Sequence, residues 1–63
     1  NWTMELKSKF IKAYANLPLA SRREIVVVLD GEPLTWNSAW VEVSNETKKG
    51  REILKKLKKL GIM

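Results

Sequence analysis

Apolar residues recur every three or four positions at the start of the chain. Leu6, Phe10, Tyr14 and Leu17 form a stripe that Ile11 widens, while Lys7, Lys9 and Lys12 face mostly away from it. That period is helical. Thr3 is suited to cap such a helix, Glu5 complements the positive end of its dipole, and Pro18 disfavours helical geometry in the residue before it. The pattern therefore predicts a helix over residues 4–16. "LPLASRR" reads as a connector in which Leu17 and Leu19 tuck under the element that follows.

The period then changes. Glu24 to Leu29 reads as a strand from its β-branched run, of which residues 25–29 have no polar position to mark an outside, and Asp30-Gly31 is a two-residue turn signal because both residues tolerate positive φ. Pro33 falls at the start of a returning strand, where a missing N–H costs least. The returning strand is expected within Leu34–Val43, with an interruption near Asn37-Ser38. A second helix begins at Ser44, Asn45 or Thr47, buries Ile53, Leu54, Leu57 and Leu60, and ends at Gly61. Gly50 lies near its first turn. A glycine inside a helix costs about 1 kcal/mol relative to alanine, so it implies either close packing or a later helix start. The order is α-β-β-α, and residues 1–63 form a single small α+β domain: an antiparallel β-hairpin packed with two amphipathic helices.

This reading creates a burial problem. Successive side chains on a strand point to opposite faces. Leu34, Trp36 and Trp40 would then share one face, and Ala39, Val41 and Val43 the other, while Ile25, Val27 and Leu29 oppose Val26 and Val28. Helices packed on one face leave the other in water, and a lone two-stranded hairpin is marginal. Covering an apolar face of about 400 Å² is worth on the order of 10 kcal/mol before association costs. The expected solution is a homodimer through the hairpin, with Trp36, Trp40, Val26, Val28, Val41 and Val43 as candidate interface residues. Two alternatives stand beside it: one helix covering each face of a monomer, or a different partner or ligand covering the tryptophans.

Composition narrows the chemistry. The 63 residues contain no Cys and no His, which removes disulfides, thiolate nucleophiles, the commonest general base and the commonest zinc ligands. Asp30 and Glu32 flank the turn but lack the spacing of a calcium loop. Ser21 and Ser38 have no base at motif spacing, and Gly31, Gly50 and Gly61 are each single, so no phosphate loop exists. No catalytic, cofactor-binding or metal-binding residue is assigned, no cofactor is implied, and no small-molecule substrate is evident. No run approaches the roughly 18 residues needed to span a bilayer, and the N-terminus carries no signal-peptide pattern. Asn1-Trp2-Thr3 and Asn45-Glu46-Thr47 match the glycosylation pattern, which carries little weight without a secretory signal. "MELKSKF" makes a natural start, and residues 1–3 read as an expression remnant or upstream extension.

Charge is the remaining signal. The net +5 is confined to residues 45–63, the first 44 residues being neutral. At helical spacing Lys48, Arg51, Lys55 and Lys58 line one stripe and Lys49, Lys56 and Lys59 lie near a second, opposite the leucines. Such a face neutralises phosphates, and Lys48, Arg51, Lys55, Lys58 and Lys59 are the candidate phosphate contacts. The alternative to an interaction module is thus a small DNA- or RNA-binding protein using this helix. A plain solvated face, with Glu52 and Lys56 as an ordinary i, i+4 pair, is the simpler explanation. No membrane partner is expected, because the apolar stripe of the helix is needed for the core. Trp36 and Trp40 have the chemistry to stack bases, but their shared face fits core or interface packing better.

The absence of Gln and the wealth of Lys and Glu lean toward a thermophile. The stretches "NLPLASRREIVVVLDGEPLTWNSAWVEV" and "GREILKKLKKLGI" resemble small uncharacterised proteins of hyperthermophilic archaea. The resemblance covers most of the chain and implies a cytoplasmic protein of unassigned function. It assigns no site residues.

Overall fold

The structure is a computed structural model and describes residues 2–63. Helix α1 spans Trp2–Ala15 and is followed by one 3-10 turn at Ser21–Arg23. Strands β1 (Ile25–Leu29) and β2 (Glu32–Thr35) form an antiparallel hairpin, and helices α2 (Trp36–Ser44) and α3 (Lys48–Lys59) complete the chain. The domain is α+β, a hairpin packed with helices in the order the hydrophobic pattern predicts. The returning strand, however, is short.

That strand does not run to Val43. It stops at Thr35, and the segment carrying both tryptophans is helical. Thr35 has extended geometry, and its hydroxyl accepts from the Ser38 amide at 3.0 Å, which caps α2. Trp36, Ala39, Trp40 and Val43 then follow at i, i+3, i+4 and i+7, the spacing of one helix face. The two tryptophans share a side because four residues is about one helical turn, not because four is an even number along a strand.

At the other end of the chain, α1 begins by Trp2, so Thr3 lies inside the helix rather than at its cap. Residues 2 and 3 are continuous with it. Its C-terminus closes as the proline predicts. Arg22 reaches back from the 3-10 turn, donating from Nε to the Tyr14 carbonyl at 3.1 Å and from its terminal nitrogen to the Ala15 carbonyl at 3.3 Å. The guanidinium also lies 4.3 Å from the centroid of the Tyr14 ring. Leu17 is half-buried, whereas Leu19 is 75 % exposed and tucks under nothing.

The hairpin turns at Asp30 (φ 51°) and Gly31 (φ 81°). Positive φ at both central residues is the mirror-image turn whose twist matches that of the strands. Val27 pairs with Leu34, Val28 with Pro33 and Leu29 with Glu32, and a bulge between Ile25 and Val27 shifts the register. Val27 and Leu34 point into the core; Ile25 and Val28 point out.

Most of the core is helical. Phe10, Val43, Ile53, Leu54 and Leu57 are almost fully enclosed, joined by Leu6, Ala39, Val27 and Leu34. The α2–α3 connection is three residues long and closes tightly. Glu46 adopts the left-handed conformation (φ 54°), its amide donates to Val43 and the Thr47 amide to Glu42, so that α2 ends in the paired hydrogen bonds usually made around a glycine. The Thr47 hydroxyl then accepts from the Gly50 amide at 2.9 Å and caps α3. The end of α3 repeats the motif with Gly61 in the left-handed position (φ 78°).

Candidate functional site: an open strand edge and a basic helix face

Helix α2 brings the tryptophans against α1. Phe10 stacks on Trp36 with centroids 5.3 Å apart, and Tyr14 stacks on Trp40 at the same distance with planes 18° apart. The four rings form two rungs between residues one turn apart on each helix. The Tyr14 hydroxyl donates to Asn37 Oδ1 at 2.7 Å and pins the second rung. Both tryptophans are therefore half-buried by the chain's own α1, and the expected open Trp face does not exist. Val43, 1 % exposed, is core and unavailable to a partner. Val41 is exposed, but on the outer side of α2. Of the six candidate interface residues, the structure leaves Val28 open and Val26 half-open on the hairpin.

Two residues outside the candidate interface set, Ile25 and Leu60, join them. Ile25 is 60 % exposed, Val28 49 % and Leu60 56 %. A shallow groove is lined by Ile25, Val26, Val27 and Val28 with Asp30 and Gly31 of the turn on one side, and by Lys56 and Leu60 of the α3 end on the other. Four consecutive strand residues line it. Alternate residues would line a face, so a groove touched by every residue runs along the edge of β1. Leu60, which the pattern places in the helical core stripe, is instead the far wall of this groove.

The two edges of the hairpin differ. β2 carries Pro33, which lacks an N–H, and Glu32, whose Oε1 accepts from Lys49 Nζ at 2.8 Å. That hydrogen bond pushes the Lys49 pKa above its ordinary 10.5. Proline and charge are the usual means of blunting a strand edge. β1 has neither between Ile25 and Leu29.

The basic helix is placed as its periodicity predicts. Ile53, Leu54 and Leu57 are buried, while Lys48, Arg51, Lys55, Lys58 and Lys59 are exposed on the far side of α3. Gly50 is buried against α2. Lys49 turns toward the hairpin and pairs with Glu32, and the Arg51 guanidinium donates to the Glu46 carbonyl at 3.2 Å. At one end of this face Lys58 Nζ lies 5.8 Å from the ring centroid of Trp2, and Trp2 lines a depression with Lys55, Lys58 and Lys59. Trp2 was legible only as part of a terminal extension, because nothing in its local spacing ties it to α3.

Among the described residues no three acidic groups converge as a metal site would require, and no helix is long and apolar enough to cross a membrane. No protein-family model matches the chain, and no curated protein or solved structure matches it either. The likeness to archaeal proteins rests on the quoted stretches alone.

Proposed function

We propose that this domain is a non-enzymatic, cytoplasmic interaction module that self-associates by pairing the β1 edge of one copy with the β1 edge of a second. The observation that carries this reading is the groove along Ile25–Val28, an unblunted apolar strand edge beside a hairpin whose other edge carries proline and an ion pair. Pairing two such edges antiparallel makes one four-stranded sheet from two marginal hairpins. It satisfies the outward N–H and C=O groups of β1 and covers Ile25, Val28 and Leu60 together. A second copy fits because "IVVVL" is uncharged and self-complementary, as a twofold contact requires.

The tryptophans have no part in this interface, since α1 already stacks against them. The reading thus keeps the dimer expected from the burial problem and moves it from the Trp face to the strand edge.

Light scattering over a range of concentrations tests it. The wild type is expected to approach twice the monomer mass. Val28→Lys, a change on an outward side chain, is expected to return the mass to monomer while retaining the far-UV circular dichroism of the fold. A wild type that stays monomeric at every concentration, or a Val28→Lys variant that remains dimeric, overturns the proposal.

A further inference from the structure

We infer that Trp2 together with Lys55, Lys58 and Lys59 forms a binding surface for single-stranded nucleic acid, separate from the β1 edge. Helix α3 carries seven cations and one carboxylate, Glu52, between Lys48 and Lys59. Its apolar side is buried in the core, and Lys55, Lys58 and Lys59 are exposed outside it. Among the described residues the ion pairs engage Lys7 and Lys49, and none engages Lys55, Lys58 or Lys59. Three cations without carboxylate partners crowd one end of the helix.

Trp2 sits among them. It lies outside the buried core and is 45 % exposed, yet it is held in α1 with the Lys58 ammonium beside its ring. A flat aromatic surface inside a cluster of lysines offers a base a stacking platform and offers the flanking phosphates their counter-charges. Neither part is specific alone. Their juxtaposition in one depression is what selects the ligand class. The bases of a duplex are already stacked and cannot reach the ring. An anionic membrane would meet the lysines, but the leucine stripe it would need is buried at Ile53, Leu54 and Leu57.

The test is fluorescence anisotropy of a labelled thymidine 20-mer against the full chain, repeated across a salt series. The wild type is expected to bind at low salt. Trp2→Ala is expected to weaken binding about 5- to 150-fold, the range for loss of one stacked base, and Trp2→Phe to restore most of it. The triple change Lys55→Gln, Lys58→Gln, Lys59→Gln is expected to flatten the slope of log affinity against log salt by about 2, at about 0.7 per phosphate contact. Lys9→Gln with Lys12→Gln, exposed lysines of α1, should change affinity less than about twofold. All these side chains lie outside the core, and far-UV circular dichroism verifies that each variant is folded. Failure of the wild type to bind at low salt overturns the inference. So does a salt slope untouched by the triple change, or a duplex of the same length bound as tightly with Trp2→Ala having no effect. Preferential binding to vesicles containing 30 % phosphatidylserine, uncompeted by the oligonucleotide, overturns it in favour of a lipid surface.

Discussion

Gly50 of α3 packs directly on the backbone of Glu42 in α2. A β-carbon at residue 50 would overlap the Glu42 carbonyl oxygen and lie 2.7 Å from its carbonyl carbon, with the Val43 α-carbon at 3.0 Å. The atoms in the way are backbone, so no side chain can swing aside. This contact explains a glycine in a helical position and sets how closely α3 approaches α2. It also brings Ile53 and Leu57 into the same core as Val43.

Gly50→Ala is accordingly expected to destabilise the domain, although alanine is the better helix former by about 1 kcal/mol. Overpacking against backbone should outweigh that gain and leave a net loss of about 2 kcal/mol, or about 10 °C in melting temperature for a domain of this size. Thermal unfolding followed by circular dichroism measures it. A rise in melting temperature would show that α2 and α3 sit farther apart.

The aromatic rungs make a second prediction, on packing. Phe10 is fully buried, and Phe10→Ala should cost about 3–5 kcal/mol, enough to unfold most of a domain this small. Trp40 is half-exposed, and Trp40→Ala should leave the chain folded. A double-mutant cycle between Tyr14→Ala and Trp40→Ala should return a coupling of about 0.5–1.5 kcal/mol. Independent effects would mean that the second rung is not formed.

Glu46 supplies a third. Its left-handed backbone favours glycine, while its carboxylate holds Lys7 in an exposed ion pair at 3.0 Å. The strain should outweigh the pair, because exposed ion pairs contribute little. Glu46→Gly is expected to be neutral or stabilising and Glu46→Ala destabilising, with about 1 kcal/mol between the two variants in chemical denaturation. Equal stabilities would remove the left-handed assignment.

Much of this architecture is written in local pattern. The Ile53, Leu54 and Leu57 part of the α3 stripe, the Asp30-Gly31 turn and the proline stop of α1 each follow from a short-range rule, and the structure obeys all three. The segment Trp36–Ser44 is helical although its β-branched and aromatic content suits a strand and the preceding hairpin invites a long return. The spacing of Trp36, Ala39, Trp40 and Val43 carries the helical answer, and the Thr35 cap agrees with it. Period outweighs composition there. Other features are not local at all. The pairing of Trp2 with Lys58, the blunted β2 edge and the exposure of Leu60 all depend on how distant elements meet, and no window along the chain contains both partners.

The helical form of α2 also changes the burial problem. With the tryptophans stacked on Phe10 and Tyr14, the apolar surface left open on and beside the hairpin is Ile25, Val28 and Leu60 around the β1 edge. The self-association proposal stands or falls on that strip. The most direct measurement is a dilution series of amide nitrogen–proton NMR spectra. The account predicts concentration-dependent shifts at Ile25–Leu29 and near Leu60, with the amides around Phe10, Tyr14, Trp36 and Trp40 unmoved. Spectra that do not change on dilution, or shifts centred on the tryptophans, would contradict it.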